Sequence, residues 1–215
     1  LDSKIYFTLG RALDPFGNDV DDDGESLDAR GRRIDPARYV LSADGEPWYD
    51  DQRDGEYTRE VGERLIDAYA RDTVIQSTHV TAHAVLRLLR TANPNVDLVR
   101  LIRGRGKIDD LALRAVYVDV RELLDQVRGL HARGGVRLGP LVSTASAEDV
   151  VAEGLRHFAI YHARPAVFRK GDRVASGDRG LLFYYSNRLE GYRLERGIGL
   201  KSALSTDHRA LGRGA

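Results

Sequence analysis

The sequence contains neither cysteine nor methionine, one tryptophan and six prolines. Without cysteine there can be no disulfide framework, no thiolate metal site and no cysteine nucleophile. It also lacks any apolar run near the ~18 residues that a membrane-spanning helix needs, so membrane contact by such a chain is expected to be peripheral. With no methionine and Leu1 at the first position, the 215 residues are expected to be a processed product or a stretch of a longer reading frame. What is present is a globular composition, 42% hydrophobic and 31% charged, long enough for one compact domain or two small ones.

Net charge is zero, with 33 basic and 33 acidic side chains, but the two signs are segregated. Residues 14–56 hold fourteen acidic side chains against five arginines, a local charge of −9, and the remainder carries +9. Of the 33 basic residues 29 are arginine, a bias that suits phosphate or carboxylate recognition but follows more simply from a GC-rich genome.

Periodicity predicts an α+β, predominantly α-helical fold. Lys4–Leu9 reads as a strand, β-branched and aromatic, stopped by Gly10. Residues 10–55 carry many turn formers and little periodicity, and read as a long acidic loop; no internal repeat is evident. Tyr57, Val61, Leu65 and Tyr69 make one helical stripe, and a second helix is predicted from Ser77 or Thr78 to Thr91, before Asn93-Pro94. Leu113, Val116, Val120, Leu123, Val127 and Leu130 share a face, on one long helix or on two that meet near Tyr117. A further helix capped by Ser146 places Val151, Leu155, Phe158 and His162 together. Residues 167–169 and 180–185, flanking a turn-rich 170–179, read as a C-terminal β-hairpin, followed by helical spacing over 186–194 and a glycine-rich flexible tail, 197–215.

Motifs are mostly incomplete. Asp19-x-Asp21-x-Asp23-Gly24 matches the first half of a calcium loop, but Arg30 stands where the closing glutamate belongs. His79 and His83 have the i, i+4 spacing of two metal ligands, yet Val80 replaces the glutamate of a zinc protease and no third ligand is in reach. No Gly-x-Ser-x-Gly elbow is present, and Leu101–Ile108 lacks the spacing of a phosphate loop. Arg100, Arg103, Arg105 and Lys107 form a basic run with no acid between them. The helix from Ser146 and the hairpin after it outline a winged helix, but Glu148, Asp149 and Glu153 would repel nucleic acid, so no nucleic-acid partner is expected.

Three segments carry a resemblance. Lys4–Asp14 (KIYFTLGRALD) resembles the strand that follows the catalytic core of bacterial membrane-associated glycerol-3-phosphate 1-O-acyltransferases, with Gly10-Arg11-Ala12-Leu13 in place of Gly-Glu-Pro-Leu. Arg64–Arg90 resembles the helix, threonine-containing turn and alanine-rich helix of that family, and Gly180–Tyr192 (GLLFYYSNRLEGY) its C-terminal Tyr-Tyr-x-Asn-x-Leu segment. The three occur in the same order.

The resemblance implies transfer of a fatty acyl group from acyl-ACP or acyl-CoA to the sn-1 hydroxyl of glycerol 3-phosphate, in phospholipid biosynthesis, at the cytoplasmic face of the bacterial inner membrane. The family's general base is the histidine of His-x4-Asp. None of the six histidines here has an aspartate five residues on, and no Phe-Pro-Glu-Gly-Thr-like block occurs. The resemblance therefore implies a C-terminal portion: residues 1–56 the last strand of an acyltransferase core plus the acidic loop, 57–196 a helical region with its hairpin. The catalytic blocks are expected upstream of Leu1, no cofactor is expected, and these residues alone are expected to be inactive. Tyr185, Asn187 and Arg188 are the candidate substrate-binding residues. The alternative is a non-catalytic helical binding or regulatory module.

Overall fold

A computed structural model describes residues 5–160 and 162–194, which fall in two compact units, Leu1–Thr73 and Val74–Ala215. The glycine-rich tail expected at 197–215 lies outside the described residues.

In the first unit the acidic stretch is not an irregular loop. It is a seven-residue repeat, where none was expected. Asp14, Asp21, Asp28, Asp35 and Ser42 each begin a turn, and Leu13, Val20, Leu27, Ile34, Leu41 and Trp48 recur at the same interval just before or between them. Where a glycine stands three residues into the turn, at Gly17, Gly24, Gly31 and Gly45, its N–H donates to the carbonyl of the turn's first residue, and φ is +84°, +86°, +75° and +80°. That left-handed conformation is one an L side chain rarely adopts, which is why glycine recurs. The side chain of the first residue seals the turn: Asp14, Asp21 and Asp28 each accept from backbone N–H groups two and four residues on, at 2.8–3.0 Å. The geometry is that of a type I turn with a glycine bulge. In the fourth repeat Pro36 and Arg38 replace the turn residues, and the chain passes through a 3-10 turn, Pro36–Val40, capped by Asp35. Between turns run very short strands, β1 (Asp19–Val20) antiparallel to β2 (Ser26–Leu27), flanked by bridges Leu13↔Asp19, Leu27↔Arg33 and Leu41↔Pro47.

Asp50 caps the 22-residue α1 (Asp51–Asp72), six residues before the stripe that predicted it, by accepting from Gln52 and Arg53 N–H. The stripe's first half meets the ribbon. Tyr57 joins Phe16 and Tyr39 in an aromatic cluster with ring centroids 4.8–5.5 Å apart, and Arg64 donates to the Gly17 carbonyl at 2.5 Å. The strand expected over residues 4–9 is not formed in the described part, 5–9. Ile5, Phe7 and Leu9 are 78%, 88% and 94% exposed, and a strand exists only when a neighbouring strand completes its hydrogen bonds.

The second unit holds the apolar core. Val74–Ile75 (β3) pairs in parallel with Arg137–Leu138 (β5). Between them lie α2 (Ser77–Ala92), α3 (Leu98–Ile102), β4 (Asp110–Ala112) and α4 (Leu113–Ala132); then come α5 (Pro140–Thr144), α6 (Ala147–Phe158), β6 (Val167–Lys170), β7 (Arg173–Ser176) and α7 (Arg179–Glu190). Helix α4 is continuous through Tyr117, because the six predicted apolar positions all turn inward, five buried and Leu130 half-buried. Helix α2 is buried around most of its circumference, with Val80, Ala82, Ala84, Val85, Leu88 and Leu89 in the core. It lies against α6, where Gly154 permits close approach: a Cβ there would meet Thr81 Oγ1 at 2.5 Å.

The hairpin is real but displaced. Its second strand is β7, not residues 180–185, and the turn is Gly171-Asp172 with Gly171 at φ +64°. Residues 180–185 are helical because Asp178 accepts from the Leu181 N–H and so starts α7, whose Leu182, Ser186 and Leu189 are buried at helical spacing. His162 falls beyond the end of α6 rather than on its face. The sheet order β4-β7-β6, with α4, α5 and α6 between β4 and the hairpin, follows the winged-helix outline read from sequence.

Candidate functional site

Helix α7 packs lengthwise on α2, and the buried His83 and Ser186 meet across that seam. On α2, His79, His83, Arg87 and the exposed Arg90 are spaced four, four and three residues and hence lie on one face.

His79 sits in the first turn. Its Nδ1 accepts the Gln76 backbone N–H at 3.2 Å, so the ring proton of the neutral form resides on Nε2. Burial, with the Arg188 cation adding to it, lowers the His79 pKa to about 4. His83, one turn on, is buried with Nδ1 3.3 Å from both the carbonyl and the hydroxyl of Ser186. Burial holds its pKa below the ordinary histidine value, with Arg87 and Arg90 acting in the same direction and Ser186 and Glu190 against it. Arg87 is committed to Asp119 of α4 in a two-point contact, Nε to Oδ2 at 3.0 Å and Nη2 to Oδ1 at 2.8 Å, with Glu122 at 4.0 Å.

The candidate residues on α7 part company. Tyr185 is half-buried, its hydroxyl 2.9 Å from His162 Nε2 and its ring edge-on to Phe158 at 5.1 Å. Burial, and then Tyr184, pushes its phenol above the ordinary value. Asn187 and Arg188 are exposed, and the Arg188 guanidinium lies over the Tyr184 ring, 5.8 Å from its centroid. The three do not converge on one point. What converges instead is His83, Arg87, Arg90, Ser186 and Glu190, along a cavity of about 620 Å³. The signal for these residues was the i, i+4 histidine pair, extended by two arginines at the same helical interval.

His83, its pKa held below the ordinary value by burial, faces Ser186, and Asp119 is taken by Arg87. Neither histidine of the α2 pair meets a metal-like set: among the described residues no group of three or more His, Asp or Glu side chains could hold a metal ion. Asp21 of the half calcium loop caps its own turn and pairs with Arg33 at 3.3 Å. No helix among the described residues is long and apolar enough to cross a membrane.

Comparison with protein-family models, with curated proteins and with solved structures returned no match.

Proposed function

We propose that the chain is the C-terminal part of a glycerol-3-phosphate 1-O-acyltransferase, which moves a fatty acyl group from acyl-ACP or acyl-CoA to the sn-1 hydroxyl of glycerol 3-phosphate in phospholipid biosynthesis. In this reading the chain works peripherally at the cytoplasmic face of the bacterial inner membrane, and its 215 residues support the reaction without performing it. One observation carries the proposal beyond sequence likeness. Of the three segments that resemble the family, two are about ninety residues apart in sequence and form adjoining parts of one structure: Arg64–Arg90 supplies most of α2, Gly180–Tyr192 supplies α7, and His83 meets Ser186 across the seam. Segments that share a packed interface are constrained together, so their joint resemblance weighs more than two independent short matches.

The reading separates two expectations. The 215 residues contain no His-x4-Asp, and among the described residues no histidine of the buried seam is oriented by a carboxylate, so the purified chain is expected to give no acylation of glycerol 3-phosphate from acyl-ACP or acyl-CoA. The reading frame upstream of Leu1 is expected to encode His-x4-Asp followed by a Glu-Gly-Thr block, and the extended protein to be active. Acylation by the 215 residues alone, or an unrelated upstream domain, would overturn the proposal.

A further inference from the structure

Between α3 and β4 the chain reads Arg103-Gly104-Arg105-Gly106-Lys107. The alternation has a steric basis. Gly106 faces the body of the unit, where an added Cβ would lie 3.0 Å from Leu101 Cδ1 and 3.2 Å from Asn93 Oδ1, and Gly104 holds φ +78°. With Gly106 turned inward and Gly104 exposed in its left-handed conformation, Arg103, Arg105 and Lys107 are exposed as well.

The loop is held from behind. Asn93, buried just past the end of α2, accepts from the Lys107 and Ile108 N–H groups at 2.8 and 3.1 Å, and its amide donates to the Leu89 and Ile108 carbonyls at 2.9 and 3.0 Å. All its hydrogen-bonding positions are thereby used. Arg179 of α7 adds a bond to the Leu101 carbonyl at 2.7 Å and pairs with Asp109.

The nearby acids are thus already engaged. Asp109 pairs with Arg179, and Asp97 both caps α3 and pairs with Arg100 at 3.3 Å. Among the described residues Arg103, Arg105 and Lys107 make no ion pair. Beside them Val99 is 59% exposed, one helical turn before Arg103, whose N–H it receives at 3.0 Å.

We propose that this pinned cationic loop, with Val99, is the surface by which the second unit docks on an anionic lipid bilayer. The guanidinium forks and the ammonium take headgroup phosphates, and Val99 reaches the headgroup boundary. Nucleic acid is disfavoured as the occupant because α6, in the position of a winged helix's recognition helix, opens with Glu148 and Asp149 and carries Glu153. The inference rests on the acyltransferase reading only for which membrane the chain meets.

The test uses the whole chain in co-sedimentation with phosphatidylcholine vesicles, with and without phosphatidylglycerol, and a duplex DNA as competitor. Binding is expected to require phosphatidylglycerol and to fall as salt is raised, since each basic side chain near an anionic surface contributes about fivefold in affinity. The triple substitution Arg103→Gln, Arg105→Gln, Lys107→Gln should then weaken binding about a hundredfold with unchanged circular dichroism. Arg169→Gln with Lys170→Gln, at the tip of the β6–β7 hairpin, should leave binding as it was. No binding to phosphatidylglycerol vesicles, binding that survives the triple substitution, or preference for the duplex would each overturn the inference. Any of these leaves the upstream-frame test of the acyltransferase reading standing, and an unrelated upstream domain would leave the vesicle result standing.

Discussion

Asp119→Ala removes one half of an ion pair that is almost wholly out of solvent: the Asp119 side chain is 0% and the Arg87 side chain 8% exposed. Breaking a buried pair from one side typically costs about 3–5 kcal/mol, because the remaining charge is left without its counterion. The two halves are not equivalent. Arg87 borders the 620 Å³ cavity and retains Glu122 at 4.0 Å, so after Asp119→Ala its charge keeps access to water and to a second carboxylate. The Asp119 side chain, at 0% exposed, has no access to water. Asp119→Ala should therefore fall near the lower end, about 3 kcal/mol, and Arg87→Met nearer the upper, about 5 kcal/mol. The double substitution Arg87→Met, Asp119→Leu replaces the pair with apolar volume and should cost less than either single change. The assay is urea unfolding of the full chain followed by far-UV circular dichroism, which reports the helices. With a urea slope of about 2 kcal/mol per molar, Asp119→Ala should lower the midpoint of the second unit by about 1.5 M. Trp48, the one tryptophan, lies in the first unit, and its fluorescence transition should not move. A loss below about 1 kcal/mol for both single substitutions, or additivity in the double one, would refute the claim that these charges depend on each other.

The remaining predictions concern pH and the turn repeat. His79 has a folded pKa of about 4 against an unfolded value of 6.5, so the unfolded state binds more protons between them. Its contribution is complete above about pH 6.5 and is lost as pH falls toward about 4, with about 2 kcal/mol gone by about pH 5. His79→Gln, which keeps an acceptor for the Gln76 N–H, should flatten that part of the stability–pH curve, and an unchanged curve would show that burial of His79 is not its source. In the first unit, Gly24→Ala introduces a side chain at φ +86° into open space, and should cost about 1 kcal/mol from backbone strain alone. Gly17→Ala carries the same strain and also presses on Arg64 Cδ at 3.3 Å and Val61 Cγ2 at 3.4 Å, so it should cost more; Trp48 fluorescence during unfolding would show the order.

The helices with strong apolar periods were legible in advance: α2, α4 and α6 form where their stripes placed them, although of the expected caps only Ser146 of α6 acts as one, α2 starting after Gln76 and α4 after Ala112. Short segments were not. The run Gly180–Tyr185 is apolar enough for either strand or helix, and only the cap at Asp178 and the burial of Leu182, Ser186 and Leu189 against α2 made it helical. Residues 5–9 have the composition of a strand and, among the described residues, no strand beside them. The acidic stretch shows a different limit: its seven-residue interval was present in the letters, but neither helical nor strand periodicity detects it, because its unit is a turn sealed by the side chain of its own first residue.

For the candidate site the division is sharper. Residue order alone excludes a cysteine nucleophile, a His-x4-Asp dyad within these residues and a complete calcium loop. It also sets His79, His83, Arg87 and Arg90 on one helical face and leaves an uninterrupted basic run at 103–107. What those groups do required their neighbours. His83 became a buried partner of Ser186 from α7, Asp119 became the counterion of Arg87, and among the described residues Arg103, Arg105 and Lys107 were left without an ion pair because Asn93 and Arg179 hold their loop while Asp97 and Asp109 are engaged elsewhere. The physical reason is distance: periodicity acts over three or four residues, whereas charge compensation and burial depend on contacts up to 103 residues apart, which exist only once α7 lies on α2.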